Sequence, residues 1–239
     1  MAEFFRDPAV VEQLDFFVKN IPVAIWESIY STVFATFFAY VIGLPLGVIL
    51  FVGERDGIRP LPQPLMKALN AVINLLRSFP FLILMIVAMP LSRLIMGTTL
   101  RTPGILVPLT VAAAPFVARL VEGSLREMDR GLIEAAQAMG CTTFQVIWKV
   151  LLPESLPSIA TGVTTAFITI LGYGAMSGAI GGGGVGSMAQ IKGWQARNEV
   201  IMYCAVIVLV ILVQIFQSIG TRVTVRLDKR TTAGQKRKR

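Results

Sequence analysis

The chain has no histidine and only two cysteines, Cys141 and Cys204, in 239 residues. Histidine is the commonest protein metal ligand and the usual proton carrier near neutral pH, so its absence removes most metal and acid–base chemistry. Neither cysteine has ligand-like neighbours, so no metal site is expected. The two thiols fall in segments expected at different depths, too far apart for a disulfide. Charge is also scarce: 15% of residues are charged, against about 25% in an ordinary soluble domain. No Lys-Ser/Thr follows the glycine-rich run near residue 181, so there is no P-loop and no route to ATP binding through one. The N-terminus carries Glu3, Asp7, Glu12 and Asp15, not the basic-then-apolar order of a cleaved signal, so the first apolar run is expected to stay as an anchor.

What is abundant is apolar sequence: 54% of residues are hydrophobic and the mean hydropathy is +0.70. The fold class expected is all-α, a polytopic membrane protein. Five spans are read, at about 25–52, 69–91, 104–121, 159–177 and 200–219, each long enough to cross the hydrocarbon core. Pro80, Pro90, Pro108 and Pro115 fall in the second and third, where neighbours or water can satisfy the freed carbonyls. Residues 1–24 form a first segment. Within it Phe4, Phe5, Val11, Leu14, Phe16, Phe17 and Val18 suggest a short amphipathic helix lying in the membrane interface. Residues 25–221 form the membrane domain and 222–239 a basic tail. That tail holds eight Lys/Arg against Asp228, so it carries +7 of the net +8. A basic tail after a last span is placed in the cytoplasm by the positive-inside rule, and nucleic acid need not be invoked. Five spans then put the N-terminus outside and the 53–68 and 122–156 loops inside. Arg93 and Arg101 fall outside and weaken the pattern.

The polar interruption at 122–156 is the most informative stretch. It reads Glu134-Ala135-Ala136, three residues, Gly140, nine residues, Val150, one residue, Leu152-Pro153. Leu132, Ala135, Ala136 and Met139 recur at helical spacing, which predicts one apolar face. Gly140 is placed to end that helix in a left-handed turn. Thr142 or Thr143 can cap a second helix, which Pro153 is expected to stop. Glu134 leaves a carboxylate for a basic partner. Two short helices around a turn also look like a DNA-reading motif. However, the second helix, Phe144 to Lys149, has too few polar side chains to read base edges.

This pattern resembles the cytoplasmic coupling loop of the membrane subunits of ATP-binding-cassette importers, Glu-Ala-Ala, Gly and Ile-x-Leu-Pro, with Val150 in place of Ile. Further segments are similar to the methionine-importer permease subfamily: 42–48, Arg77-Ser78-Phe79-Pro80-Phe81, 107–112, 114–119, 131–140 and Gly172-Tyr173-Gly174-Ala175-Met176. The resemblance covers most of residues 25–220. It implies a homodimer with the path on its two-fold axis, two ATPase subunits docked on the coupling loops, a substrate-binding lipoprotein on the other face, and the bacterial inner membrane as location. The implied substrate is methionine, D or L. The coupling residues it implies are Glu134, Ala135, Ala136, Gly140, Val150, Leu152 and Pro153. ATP and magnesium would belong to the ATPase; this chain is expected to hold no cofactor and to be no enzyme. The alternatives are a permease for another amino acid or small solute, and a non-transporting membrane scaffold or DNA-binding regulator.

Two further features bear on a translocation path. Tyr173 and Met176 share a helix face, and a phenol beside a polarisable thioether suits a gate against a small amino acid with an apolar side chain. Ordinary helix packing would use the same residues. The following glycines (Gly174, Gly178, Gly181 to Gly184 and Gly186) are read as letting two copies pack closely. Gly181-x-Gly183-x-x-Gly186 matches a dinucleotide loop only formally, since no strand precedes it. Arg77 enters the second span, where it either snorkels to the cytoplasmic surface or faces a cavity or gate. Gly43 and Gly47 are expected to pack helices.

Overall fold

The computed structural model describes residues 8–227. Phe4, Phe5 and the basic tail beyond Leu227 lie outside the described residues. The described chain is helical, with no β-strand. Many large apolar side chains are exposed along the long helices, among them Phe37, Val87, Ile207 and Val210. In water such surfaces would be an aggregation hazard; against acyl chains they are the required solvent contact.

Four helices are long and apolar enough to cross a membrane, and a broken pair makes five if counted as one span. The first, α1 (Pro8–Val52), has 45 residues. This corrects one expectation. The amphipathic segment is helical from Pro8, but it runs without a break into the first span and is not a separate helix. Val10 and Phe17 are buried, so tertiary packing takes up part of its apolar surface.

The second expected span is α2 (Gln63–Ser78) followed by α3 (Phe81–Met96), separated at Phe79-Pro80. Proline disfavours helical geometry in the residue before it, and Phe79 is extended at φ −68°, ψ 136°. Pro80 thus breaks the span, where tolerance within a continuous helix had been expected. Pro90, Pro108 and Pro115 are accommodated inside α3 and α4 (Arg101–Arg126). Pro108 cannot donate to the carbonyl of Gly104, four residues back, and the buried Ser92 hydroxyl donates to that oxygen at 2.7 Å. The remaining long helices are α8 (Leu156–Met176) and α10 (Glu199–Leu227).

The chain divides into two compact units. One contains the residues up to Phe37 with Pro80–Ala113 and Phe167–Phe216. Its core gathers Phe17, Ala24, Leu171, Val185, Ile201, Ala205 and Leu212. The other contains Phe38–Phe79, Ala114–Ala166 and the residues from Gln217 onward. Its core centres on Leu50, Ile73 and Ala118. There Gly43 and Gly47 bring α1 against α4, as expected: a Cβ on Gly47 would lie 2.6 Å from the Ala118 carbonyl oxygen.

Candidate functional site

The 122–156 loop is built from local chemistry. Asp129 opens α5 (Arg130–Ala138), its carboxylate accepting from the Gly131 N–H at 2.9 Å. Gly140 adopts φ +80° and closes the helix. The Cys141 N–H donates to the Ala136 carbonyl at 3.1 Å and the Gly140 N–H to Gln137 at 2.9 Å, the paired bonds of a Schellman turn. Thr142 caps α6 (Thr143–Val146) in a reciprocal capping box with Gln145, worth about 1 kcal/mol.

Pro153 does not stop this second helix, contrary to expectation. The chain widens into a π-helical turn, Ile147–Leu151, and continues as α7 (Leu152–Glu154). The Leu152 N–H reaches back five residues to the Ile147 carbonyl. The wider turn lets the helix pass a residue that lacks an N–H and crowds the preceding turn. The interruption comes at Ser155, before α8.

The faces of the loop also differ from the simple periodic reading. Ile133 and Ala136 are the buried positions of α5, and Val146 and Leu151 those of the second helix. Leu132, Ala135 and Met139 turn outward with Glu134 and Gly140. Met139 is 77% exposed, Phe144 67% and Trp148 58%, and the Phe144 and Trp148 rings lie 6.0 Å apart. Of the expected coupling residues, Glu134, Ala135, Gly140 and Pro153 are exposed, Val150 and Leu152 half-buried, and Ala136 buried. The loop thus presents an uncovered apolar and aromatic surface held by a well-packed underside.

In the other unit, α8 ends at Met176 and a helical hairpin follows: a 3-10 turn (Ser177–Ile180), α9 (Gly184–Ser187) and a π-helical turn (Met188–Gln195). Tyr173 stacks on Phe81, ring centroids 3.9 Å apart and 14° from parallel, while Met176 is 48% exposed. The two expected gate residues therefore differ: one packs within its own unit and the other is free to meet something else. Most of the hairpin glycines lie close to other parts of their own chain. A Cβ on Gly186 would meet Ala175 Cα at 2.2 Å, and one on Gly178 would meet Ser187 Cα at 2.6 Å. Gly174 alone of that run has open space around it. Arg77 sits exposed in the last turn of α2, directly before the break.

Two polar constellations complete the picture. In the unit that carries the loop, the buried Glu122 carboxylate is held between two guanidinium groups: Arg119 Nη1 donates to one oxygen at 2.6 Å and Arg126 Nη2 to the other at 2.7 Å. Arg119 Nη2 also donates to Asn70 and Asn74 of α2, at 2.7 and 2.9 Å, and Arg126 Nη2 to Glu54, just after α1. In the other unit, Glu27 of α1 accepts from the Gly184 N–H at 2.8 Å and the Ser28 hydroxyl from the Val185 N–H at 2.9 Å. These two side chains satisfy the first donors of α9.

A family model, "Binding-protein-dependent transport system inner membrane component", matches residues 43–233. The chain belongs to this family. Within it, the chain falls in the methionine-transporter permease subfamily. It is 46% identical over 207 residues to the probable D-methionine transport system permease protein MetI of Vibrio cholerae, covering 87% of this chain and 92% of that one. It is 44% identical over 168 residues to the methionine import system permease protein MetP of Bacillus subtilis, covering 69% and 76%. A solved inward-facing structure of the MetNI methionine ABC transporter contains a chain 40% identical to it, with a TM-score of 0.86 over 91% of this chain and 99% of that one. An amino acid ABC transporter solved with histidines, at 16% identity and a TM-score of 0.71, shares the fold.

Glu122 with its two arginines and Glu27 are the polar residues of this chain that the motif reading did not single out. A sequence signal existed for each. Arg119, Glu122 and Arg126 stand three and four residues apart inside an apolar helix, which puts them on one face. Glu27 is an acid within the first apolar run, and an ionisable group in a span needs a partner.

Proposed function

We propose that this chain is the permease subunit of an ATP-driven importer carrying methionine, D or L, handed over by a substrate-binding lipoprotein. It works as a homodimer with two ATP-binding-cassette ATPase subunits, in the bacterial inner membrane, with the N-terminus outside and the C-terminus in the cytoplasm. The observation that carries the reading is the 122–156 loop, whose outward face of Leu132, Ala135, Met139, Phe144 and Trp148 is uncovered on a rigidly capped frame. A partner groove is the simplest cover for such a surface. The 46% identity to a methionine permease supports the substrate.

ATP and magnesium are held by the partner ATPase, which supplies the hydrolysis. This chain's residues receive movement and pass it on. Glu134 offers a carboxylate to the ATPase, Gly140 allows close approach, and the α5–α7 frame moves as a piece. The membrane helices then alternate between inward and outward openings, a shift that only a ligand with different affinity for the two states can drive. Met176, and Tyr173 seated on Phe81, lie on the path as gate residues, and Arg77 stands at the cytoplasmic end of α2.

The test is reconstitution. Tagged permease should capture the ATPase subunit from membranes. Proteoliposomes holding the complex should accumulate labelled methionine only with ATP and the binding protein present. Capture of the ATPase with uptake of a different solute would replace methionine with that solute. No ATPase capture and no uptake would leave the scaffold reading.

A further inference from the structure

We infer that the Glu54–Arg126–Glu122–Arg119–Asn70/Asn74 network is the joint through which movement of the docking loop reaches the helices of its unit, with Glu122 and Glu54 as positioning residues. The inference rests on the coupling reading above and adds the route.

The geometry makes a chain of short bonds across three elements. Glu122 is buried, and each of its oxygens takes one guanidinium. Arg119 extends the chain to α2 through Asn70 and Asn74. Arg126 extends it to the segment after α1 through Glu54. The Glu122 carboxylate is itself buried, so losing either guanidinium would leave its charge poorly solvated. Buried Glu122 thus ties together the two arginines that bond to α2 and to the segment after α1, the latter through a half-exposed pair.

The docking loop is mounted on this assembly at close quarters. Only residues 127–129 separate α4 from α5. One of them, Glu127, accepts from Ser158 of α8 at 2.6 Å. Glu54 and Asp56 line one cleft with Ile133, Glu134 and Gln137 of α5. Glu54 thus lies across a cleft from α5, and three residues separate α5 from the end of α4. Glu54 and the end of α4 are both tied to Glu122, the first through Arg126 and the second directly. An apolar core at these positions would give cohesion without fixing the direction of each contact. Charge-assisted bonds add that direction.

The test uses the complete reconstituted importer and reads methionine accumulated per ATP hydrolysed. Glu122→Gln keeps the shape and removes the charge. Glu54→Gln acts at a half-exposed group, so it remains informative if Glu122→Gln does not assemble. Both are expected to capture the ATPase and retain ATP hydrolysis, with uptake per ATP reduced at least fivefold. The double variant Glu54→Gln/Arg126→Gln should lower uptake per ATP further than Glu54→Gln alone, because Arg126 also holds Glu122. Wild-type uptake per ATP in Glu54→Gln overturns the inference. So does loss of ATPase capture in that variant, since the network would then serve only to shape the docking surface. Gly140→Val, measured alongside, separates the two claims: if it too keeps wild-type coupling, the docking reading itself fails, whereas uncoupling there with normal Glu54→Gln removes only the joint.

Discussion

Replacing Gly140 changes the turn and the docking surface together, and a pair of substitutions can part them. The residue has φ +80°, and a Cβ added there meets nothing within 4 Å. Steric conflict inside the chain is therefore absent, and the internal cost is conformational. A non-glycine residue in this region costs roughly 1–2 kcal/mol, with β-branched side chains at the upper end. That cost falls on the two Schellman bonds, so Gly140→Val should strain the turn and add bulk at the exposed surface. Gly140→Asn is the control. Asparagine enters the left-handed region with little penalty, so it keeps the turn and adds only the side chain. If the surface docks an ATPase, both variants should assemble, melt within a few degrees of wild type, and lose ATP-driven uptake in proteoliposomes. If the glycine serves only the turn, Asn should transport normally, and only Val should lose uptake. Full uptake with Gly140→Val would refute the assignment outright.

Further outcomes follow from the same geometry. Glu134→Ala removes a carboxylate from the exposed face of α5, so it should leave the melting temperature unchanged and reduce uptake; unchanged uptake in vesicles argues against its pairing with the ATPase. With Cys141 and Cys204 replaced, a cysteine at exposed position 12 should react with a membrane-impermeant thiol reagent in intact cells and one at 234 should not; the reverse labelling overturns the orientation. Tyr173→Ala loses the stack on Phe81 and should destabilise by about 2 kcal/mol, whereas the half-exposed Met176→Ala should leave stability near wild type and change selectivity or coupling. Wild-type selectivity and coupling in Met176→Ala would remove it from the path. Glu27→Ala strands the Gly184 N–H and should cost about 1–3 kcal/mol, read as a lowered melting temperature that Glu27→Gln, which can still accept, largely restores.

The spans were legible in the sequence because lipid imposes its demand on consecutive residues: a long apolar run has few other uses. The Gly140 turn and the Thr142 cap were legible for a similar reason, since each is made by groups within five residues of one another. Family membership was legible because those local motifs and the segments around Tyr173 and Arg77 occur together. Other features depended on contacts that sequence spacing does not encode. The continuity of α1 past residue 24 depends on Phe17 packing beside Leu171 and Val185 in one core. The outward turn of Leu132 and Met139 depends on Ile133 and Ala136 being the residues that find a surface to bury against. Pro80 and Pro153 look alike as helix breakers, yet one breaks a span and the other is absorbed by a π-helical turn. The glycines after Met176 carry no sign in their spacing that Ala175 and Ser187 lie against them. The Glu122 network joins residues 45, 49 and 72 positions apart. What the sequence by itself determined was the solvent each segment requires and the turns its neighbours can close. Which polar groups meet, and which apolar face stays uncovered, only the tertiary structure decided, because hydrogen bonds and close packing depend on distances that folding creates between remote parts of the chain.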